Sequence, residues 1–136
     1  MSNAAGGVQA KPTGTIAREA ARDLSSYQYH AAQMNASAKI DYVDTSASGK
    51  CLGVLQNAPA AANREAEIAS EGTSLLRVDA NSTNIAVGDP LGSTSTYHGI
   101  KVSSDKDQYF AIALEAATAD NVLIEVQLVG PSYLAV

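Results

Sequence analysis

Short apolar runs separated by turn-forming residues constrain this chain more than any other feature. From Tyr27 onward the runs recur roughly every 8–12 residues, and the breaks between them are rich in Gly, Pro, Asn, Asp and Ser. The pattern predicts about seven or eight short strands that do not alternate with helical segments. It is typical of a small antiparallel β-barrel or sandwich, and it argues against a parallel α/β sheet.

Three of these runs allow the two faces of a strand to be assigned. They are Cys51–Gln56, Arg64–Ser70 and Asn121–Val129. The first is apolar on both faces, which predicts a central strand that is covered on both sides. The other two alternate, and the residues predicted to face inward are Ala66, Ile68, Val122, Ile124, Val126 and Leu128. Glu125 is predicted to face solvent.

Residues 1–26 are interpreted as an N-terminal arm on a body formed by residues 27–136. Residues 1–14 have little to bury, so we expect them to be extended. Thr15–Leu24 has apolar residues at helical spacing with charged residues opposite. A helix of about 10 residues is marginal alone and would form only when docked. The predicted fold is therefore all-β with an extended, partly helical arm, and Leu114–Ala119 is a second candidate helical turn.

Charge and composition exclude several functional classes. The net charge of −5 gives no basic footprint for nucleic acid. Residues 1–26 sum to about +1 and the remainder to about −6, which indicates two different contact surfaces. Cys51 is the lone cysteine, so no intrachain disulfide or cysteine metal cluster is expected. No run approaches about 20 apolar residues, so we expect no membrane span. The first residues lack a basic region followed by an apolar one, so we expect no signal peptide.

Residues that carry catalysis in other proteins are few and scattered in this sequence. His30 and His98 lie in predicted strands, outside any recognisable motif. The carboxylates of Glu65–Glu71 follow one strand, where outward-facing acidic residues are usually solvated. The loop at Asp105–Asp107 offers too few ligands for a dedicated calcium site. We therefore expect no enzymatic activity, no catalytic residues, no metal and no cofactor.

Five short segments follow one another in a recognisable order. They are Gly53–Pro59, Arg64–Gly72, Ile85–Asp89, Ala111–Ala117 and Val122–Val129. In this order the segments resemble the bacteriophage capsid decoration (cement) protein family, over about residues 26–129. The chain departs from the family pattern at Ala111, where Gly is usual, and in the turn before Arg64. Residues 1–24 lie outside the resemblance.

The resemblance implies a structural virion protein without an active site. Members of such families bind the outer surface of an assembled capsid, often as trimers, and brace it. The expected partner is the major capsid protein, the expected assembly is a homotrimer, and neither nucleic acid nor membrane is expected to bind. The expected location is the outer capsid surface, after synthesis in the bacterial host cytoplasm. The candidate capsid contacts in the arm are Ile16, Arg18, Arg22 and Leu24.

Two alternative functions stay open at the level of the sequence. One is a head-fibre or glycan-binding β module on a virion surface, which an outward patch of exposed tyrosines would favour. The other is a small enzyme, which a deep pocket with carboxylates converging on His30 or His98 would favour.

Overall fold

The computed structural model describes residues 10–43, 51–81, 83–93, 98–103 and 108–133, except for the side chains of residues 131 and 133. In this part of the chain the fold is all-β, and nine strands form one continuous sheet. The strands are β1 (Pro12–Glu19), β2 (Ala31–Met34), β3 (Ile40–Tyr42), β4 (Cys51–Leu55), β5 (Glu65–Asp79), β6 (Pro90–Ser93), β7 (Gly99–Lys101), β8 (Gln108–Ala113) and β9 (Asp120–Tyr133).

The 15-residue strand β5 organises the sheet because its two halves have different partners. The first half pairs with β1 and β4, and the second half pairs with β9 and β7. The partners change at Gly72, which has a φ of 87°. Glycine adopts this left-handed conformation without a steric penalty, so the strand continues through a position that would strain other residues.

The second half of β5 belongs to a closed barrel with the strand order β5-β7-β6-β8-β9. The antiparallel ladder between β5 and β9 closes it, from the pair Gly72–Leu128 to the pair Asp79–Asp120. All neighbouring pairs are antiparallel except β5 and β7, which are parallel. The buried side chains that we call the barrel core include Leu76, Val78, Leu91, Phe110, Ala111, Ala113, Ile124, Val126 and Leu128.

The first half of β5 belongs to a second region, which we call the N-terminal sheet, with the order β3-β2-β4-β5-β1. In the described part of the chain, the segments at its two outer edges are joined by a parallel bridge between Ala20 and Ile40. The backbone N–H of Ala21 donates to the Ile40 carbonyl there at 2.8 Å. A smaller cluster, the N-terminal core, consists of Ala20, Leu24, Ala32, Ile40, Leu55, Ala66 and Ile68.

The prediction that β4 is central and covered on both faces is confirmed. β4 lies between β2 and β5. Its neighbours Val54 and Leu55 point to opposite faces, as successive residues of a strand must. Val54 joins the barrel core and Leu55 joins the N-terminal core. The alternation predicted for β5 and β9 is also present, since Ala66, Ile68, Ile124 and Val126 are buried.

The predicted helix at Thr15–Leu24 is wrong. Residues up to Glu19 form β1 instead, and Ile16 lies opposite Ile68 of β5. A short helix is only marginally stable, whereas β5 offers a full row of backbone partners to an extended chain. The helical turn predicted at Leu114–Ala119 is also wrong, because Ala117 forms a β-bridge.

Glu125 contradicts the face predicted for it, although its neighbours on β9 do not. Its side chain is 8% exposed, not solvated. Its cross-strand neighbour on β5 is Leu75, and its backbone N–H donates to a Glu115 carboxylate oxygen at 2.6 Å. The turn-forming residues at 44–50 and 103–107 predict a hairpin loop and a turn. The first segment and most of the second lie outside the described residues.

Candidate functional site

Two of the four predicted contact residues lie on β1 and keep exposed surface. Ile16 is half-buried, and Arg18 is exposed. The guanidinium of Arg18 donates to the carbonyl of its own neighbour, Ala17, at 2.9 Å. Both side chains lie on the face of β1 that includes Ile68, since directly opposed residues of an antiparallel pair share a face. They are therefore available to a partner without unfolding.

Arg22 lies beyond the end of β1 and is engaged with β3. Its Nη2 contacts the Asp41 carboxylate at 2.8 Å, and its Nη1 donates to the Tyr42 hydroxyl at 3.1 Å. Its guanidinium carbon lies 4.8 Å from the centre of the Tyr42 ring. The side chain of Arg22 is 51% exposed, whereas that of Asp41 is 8% exposed. Arg22 therefore reinforces the joint between the arm and β3 while it keeps a face in solvent.

Leu24 differs from the other three predicted contacts because it is completely buried. It belongs to the N-terminal core, and its backbone N–H donates to the Pro59 carbonyl at 2.8 Å. As folded here, it presents no side-chain surface to a partner. The fold therefore places in the core a residue that was predicted from the sequence to be a surface contact.

The sequence pattern did not predict that β1 is an edge strand. Within the described residues, the strand paired with Pro12–Glu19 is β5, and no strand lies along the other edge of β1. Such an edge presents backbone N–H and C=O groups to any further extended chain. The alternating Thr13, Thr15 and Ala17 are all exposed. The β-branched threonines were the signal that could have favoured a strand over a helix.

The face of β1 and β5 opposite to Ile16 and Arg18 is acidic at one end. Glu19 lies directly opposite Glu65, and Ala17 lies opposite Glu67. Like charges in directly opposed positions repel each other. Lys39 lies 3.8 Å from Glu19 and offsets part of this repulsion. The two faces of the β1–β5 pair therefore differ in charge, and the acidic face includes Glu19 of the arm itself.

The residues considered as metal ligands or nucleophiles form no metal-binding group in the described part of the chain. No group of three or more His, Cys, Asp or Glu residues is arranged there to hold a metal ion. Burial raises the pKa of the Cys51 thiol to about 12, so this cysteine stays protonated at neutral pH and is not a nucleophile. The candidate loop Asp105–Asp107 lies outside the described residues.

The two histidines, which belong to no recognisable sequence motif, are in contact. Their rings stack with centroids 5.0 Å apart and an interplanar angle of 25°. His98 Nδ1 lies 3.0 Å from an Asp120 carboxylate oxygen. His30 comes from the N-terminal sheet, while His98 and Asp120 come from the barrel. The pair therefore lies where the two regions meet.

The tyrosines whose side chains are described do not form an exposed platform. Tyr27, Tyr29, Tyr42 and Tyr109 are all half-buried. Tyr27 and Tyr42 pack against each other, with ring centroids 4.7 Å apart, beside the N-terminal core. Exposed apolar surface lies elsewhere, at Val87, Leu114 and Val129 of the barrel. The described residues contain no apolar helix of membrane-spanning length.

A comparison with models of protein families matches most of the chain. The model described as phage cement protein matches residues 25–128. That span contains β2 to β8 and most of β9, and it begins after β1. No curated protein matches the chain.

Proposed function

Because this chain belongs to the phage cement protein family, we propose that it binds the outer surface of an assembled phage capsid and stabilises the capsid by bridging neighbouring subunits. Its partner is the major capsid protein, and its binding unit is a homotrimer. The protein is made in the cytoplasm of the bacterial host and resides on the outside of the virion. It acts as a structural component and catalyses no reaction.

The open edge of β1 is the observation that supports this proposal most directly. An unpaired edge strand accepts an extended segment of another chain through main-chain hydrogen bonds. Ile16 and Arg18 lie beside that edge, and Arg22 follows it with half of its side chain in solvent. An apolar side chain, two cationic side chains and the backbone groups of the β1 edge therefore lie close together, and the pairing of β1 with β5 holds them in place.

Bridging stabilises a capsid through ordinary binding thermodynamics. A ligand that binds the assembled state and not the separated subunits stabilises assembly by RT ln(1 + [L]/Kd), about 2.7 kcal/mol when the free protein is at 100 times its Kd. Many copies on one shell multiply this effect. A specific interface of this kind buries roughly 1,200–2,000 Å² in total, which the β1 edge supplies only together with neighbouring surface.

The test is co-sedimentation of the purified protein with assembled phage heads that lack decoration. Saturable binding at a fixed ratio to the capsid subunits is expected, together with a higher temperature of head disruption. Absence of binding at micromolar protein would overturn the proposal. Deletion of the arm through Leu24 is a poor variant for this assay, because it removes a buried core residue.

The position of the contact is better tested with Arg18→Glu, whose side chain is exposed in the free protein. Arg64→Glu is the matched control, since Arg64 is also exposed and lies in the turn before β5. Weaker binding of Arg18→Glu alone would place the contact on β1. Equal binding of both variants and the wild-type protein would move the contact away from β1.

A further inference from the structure

The turn that precedes β2 joins the N-terminal sheet to the barrel. Tyr27 packs beside the N-terminal core, and Tyr29 packs against the barrel core. The backbone N–H of Tyr29 donates to the Leu55 carbonyl at 2.7 Å, and the Tyr29 carbonyl accepts from the Arg77 N–H of β5 at 2.8 Å. The turn is therefore attached to both regions by backbone as well as by side chains.

This turn is also a strained segment. Tyr29 has a φ of 66°, a left-handed conformation that bulky residues rarely adopt. Such a conformation persists only where the surrounding contacts outweigh its cost. A loss of those contacts would release the strain, so the turn has a built-in tendency to open once its neighbours weaken.

His30 follows Tyr29 and is the residue whose charge matters most at this junction. It is 6% exposed, and it lies between the Tyr27 ring, at 5.5 Å in an edge-on arrangement, and the stacked ring of His98. Burial is the largest cause that lowers the pKa of His30, while the Tyr27 carbonyl partly opposes the shift. Positive charge on His98 and on Arg77 lowers this pKa further.

The other ionisable groups around His30 do not cancel this effect. Arg77 comes from β5, and its guanidinium donates to Asn121. The Asp120 carboxylate, at the start of β9, lies 3.0 Å from Nδ1 of His98. Tyr27 and Tyr29 are the other titratable side chains in the same turn. A proton on His30 would therefore enter a buried site that faces two cationic groups.

We propose that the stacked His30–His98 pair is an acid-sensitive junction, at which protonation of His30 detaches the Tyr27–His30 turn from the barrel and loosens the N-terminal sheet. The function is regulatory. At neutral pH the N-terminal sheet, which carries β1, packs closely against the barrel, and in acid this packing loosens. The open form exposes the His30 ring to water, so the proton is bound where it is solvated.

The direction of the pH dependence follows from the lowered pKa. Above the ordinary value of 6.5, His30 is neutral in both the closed and the open form, and the junction is fully stable. As the pH falls below 6.5, the open form binds a proton that the closed form resists. The closed form is then destabilised progressively until the pH falls past the lowered pKa of His30. The equilibrium constant for opening rises in total by about tenfold for each unit by which this pKa is lowered.

The experiment combines a histidine titration with hydrogen exchange on the full chain. The sequence contains two histidines, so their ring signals in an NMR titration are resolved and assigned with His98→Gln. His30 is expected to titrate below 6.5 in the wild-type protein, and at a higher pH in His98→Gln, which lacks one repelling group. A wild-type His30 that titrates at or above 6.5 would overturn the proposal.

Hydrogen exchange, corrected for the intrinsic effect of pH, is then compared at about pH 7.5 and about pH 5. Protection of the amides of Tyr29, Leu55 and Arg77 is expected to fall in acid, while barrel amides such as that of Val126 change less. His30→Gln is expected to lose this acid response. If that variant does not fold, His98→Gln serves in its place, with a smaller acid response. Protection that is equal at both pH values in the wild-type protein would contradict the proposed junction.

Discussion

The two halves of β5 belong to regions that are closed in different ways. In the barrel, β9 pairs with β5 along a long ladder from Gly72–Leu128 to Asp79–Asp120, with one irregularity between Val78 and Asp79. In the described part of the N-terminal sheet, the outer strands are joined by the bridge between Ala20 and Ile40. Separating β9 from β5 requires the loss of many backbone hydrogen bonds at once, whereas separating the outer strands of the N-terminal sheet requires the loss of few. The barrel also has a short seam, where β5 and β7 pair at Val78 and Gly99.

The two cores differ in the same direction. Among the described residues, the barrel core contains seventeen buried side chains, which include Phe110, several Leu, Ile and Val residues, and some contributed by β2 and β4. The N-terminal core contains seven among the same residues, of which three are alanines that bury little apolar area. Regions with fewer buried apolar contacts open locally at a lower free-energy cost. We therefore expect a rigid barrel beside a more adaptable sheet, which suits a protein that must fit a shared capsid surface.

The largest effect is expected when a buried side chain of the barrel is truncated. Leu76→Ala should lower the free energy of unfolding by about 2–5 kcal/mol, because it removes a fully buried leucine and leaves a cavity. Urea denaturation measures this loss, and hydrogen exchange should rise in both regions. A loss below about 1 kcal/mol would mean that the barrel relaxes easily around the cavity, which would contradict the rigidity expected of it.

Leu24→Ala should have a more local effect, although Leu24 is equally buried. We expect a loss of about 2–3 kcal/mol that acts mainly on opening of the N-terminal sheet. Hydrogen exchange should rise at Ala21 and Leu55, while Val126 in the barrel stays protected. If the barrel amides lose protection to the same degree, the two regions unfold as one unit and the distinction between them fails.

The strands of the barrel and the centre of the sheet could be predicted from the sequence. Alternation predicted the buried faces of β5 and β9, and the double-sided apolar run predicted β4. These strands bury their apolar residues against one another, so the pattern in the sequence reports their faces directly. The ordered motifs also indicated the family, which the match over residues 25–128 confirms.

The arm could not be predicted in the same way because its conformation depends on a distant partner. Ile16, Ala17 and Ala20 fit a helical spacing, but β1 is stabilised mainly by backbone pairing with β5. Backbone pairing leaves little trace in side-chain periodicity. The contact between His30 and His98 was missed for a related reason, since 68 positions along the chain separate them and only the tertiary fold brings them together.

A substitution at Gly72 tests how firmly β1 is held at the point where β5 changes partners. Alanine at Gly72 would bring its Cβ against the Lys11 carbonyl oxygen and within 2.7 Å of the Thr13 nitrogen. Gly88→Ala is the matched control, because Gly88 has a similar φ of 93° but open space around it. Gly72→Ala should therefore cost about 1–3 kcal/mol more than Gly88→Ala. It should also speed tryptic cleavage after Arg18, and equal cleavage rates would show that β1 does not depend on this close approach.

Substitution of Arg22 should have the smallest effect on the free energy of unfolding. It is the most direct test of the bridge between Ala20 and Ile40, which closes the described part of the N-terminal sheet. Arg22→Ala removes the contacts to Asp41 and Tyr42. Half of the Arg22 side chain is in water but Asp41 is buried, so we expect a loss near the top of the range for surface ion pairs, about 1 kcal/mol. Arg18→Ala is the matched control with no contact to β3, and it should be close to neutral. Because Arg22 supports a joint made by one backbone bridge, its loss should raise exchange at Ala21 more than it changes the global free energy of unfolding. An effect of Arg22→Ala that is spread evenly over both regions would mean that the bridge between Ala20 and Ile40 is not the weak point, and that the arm and the barrel share one cooperative structure.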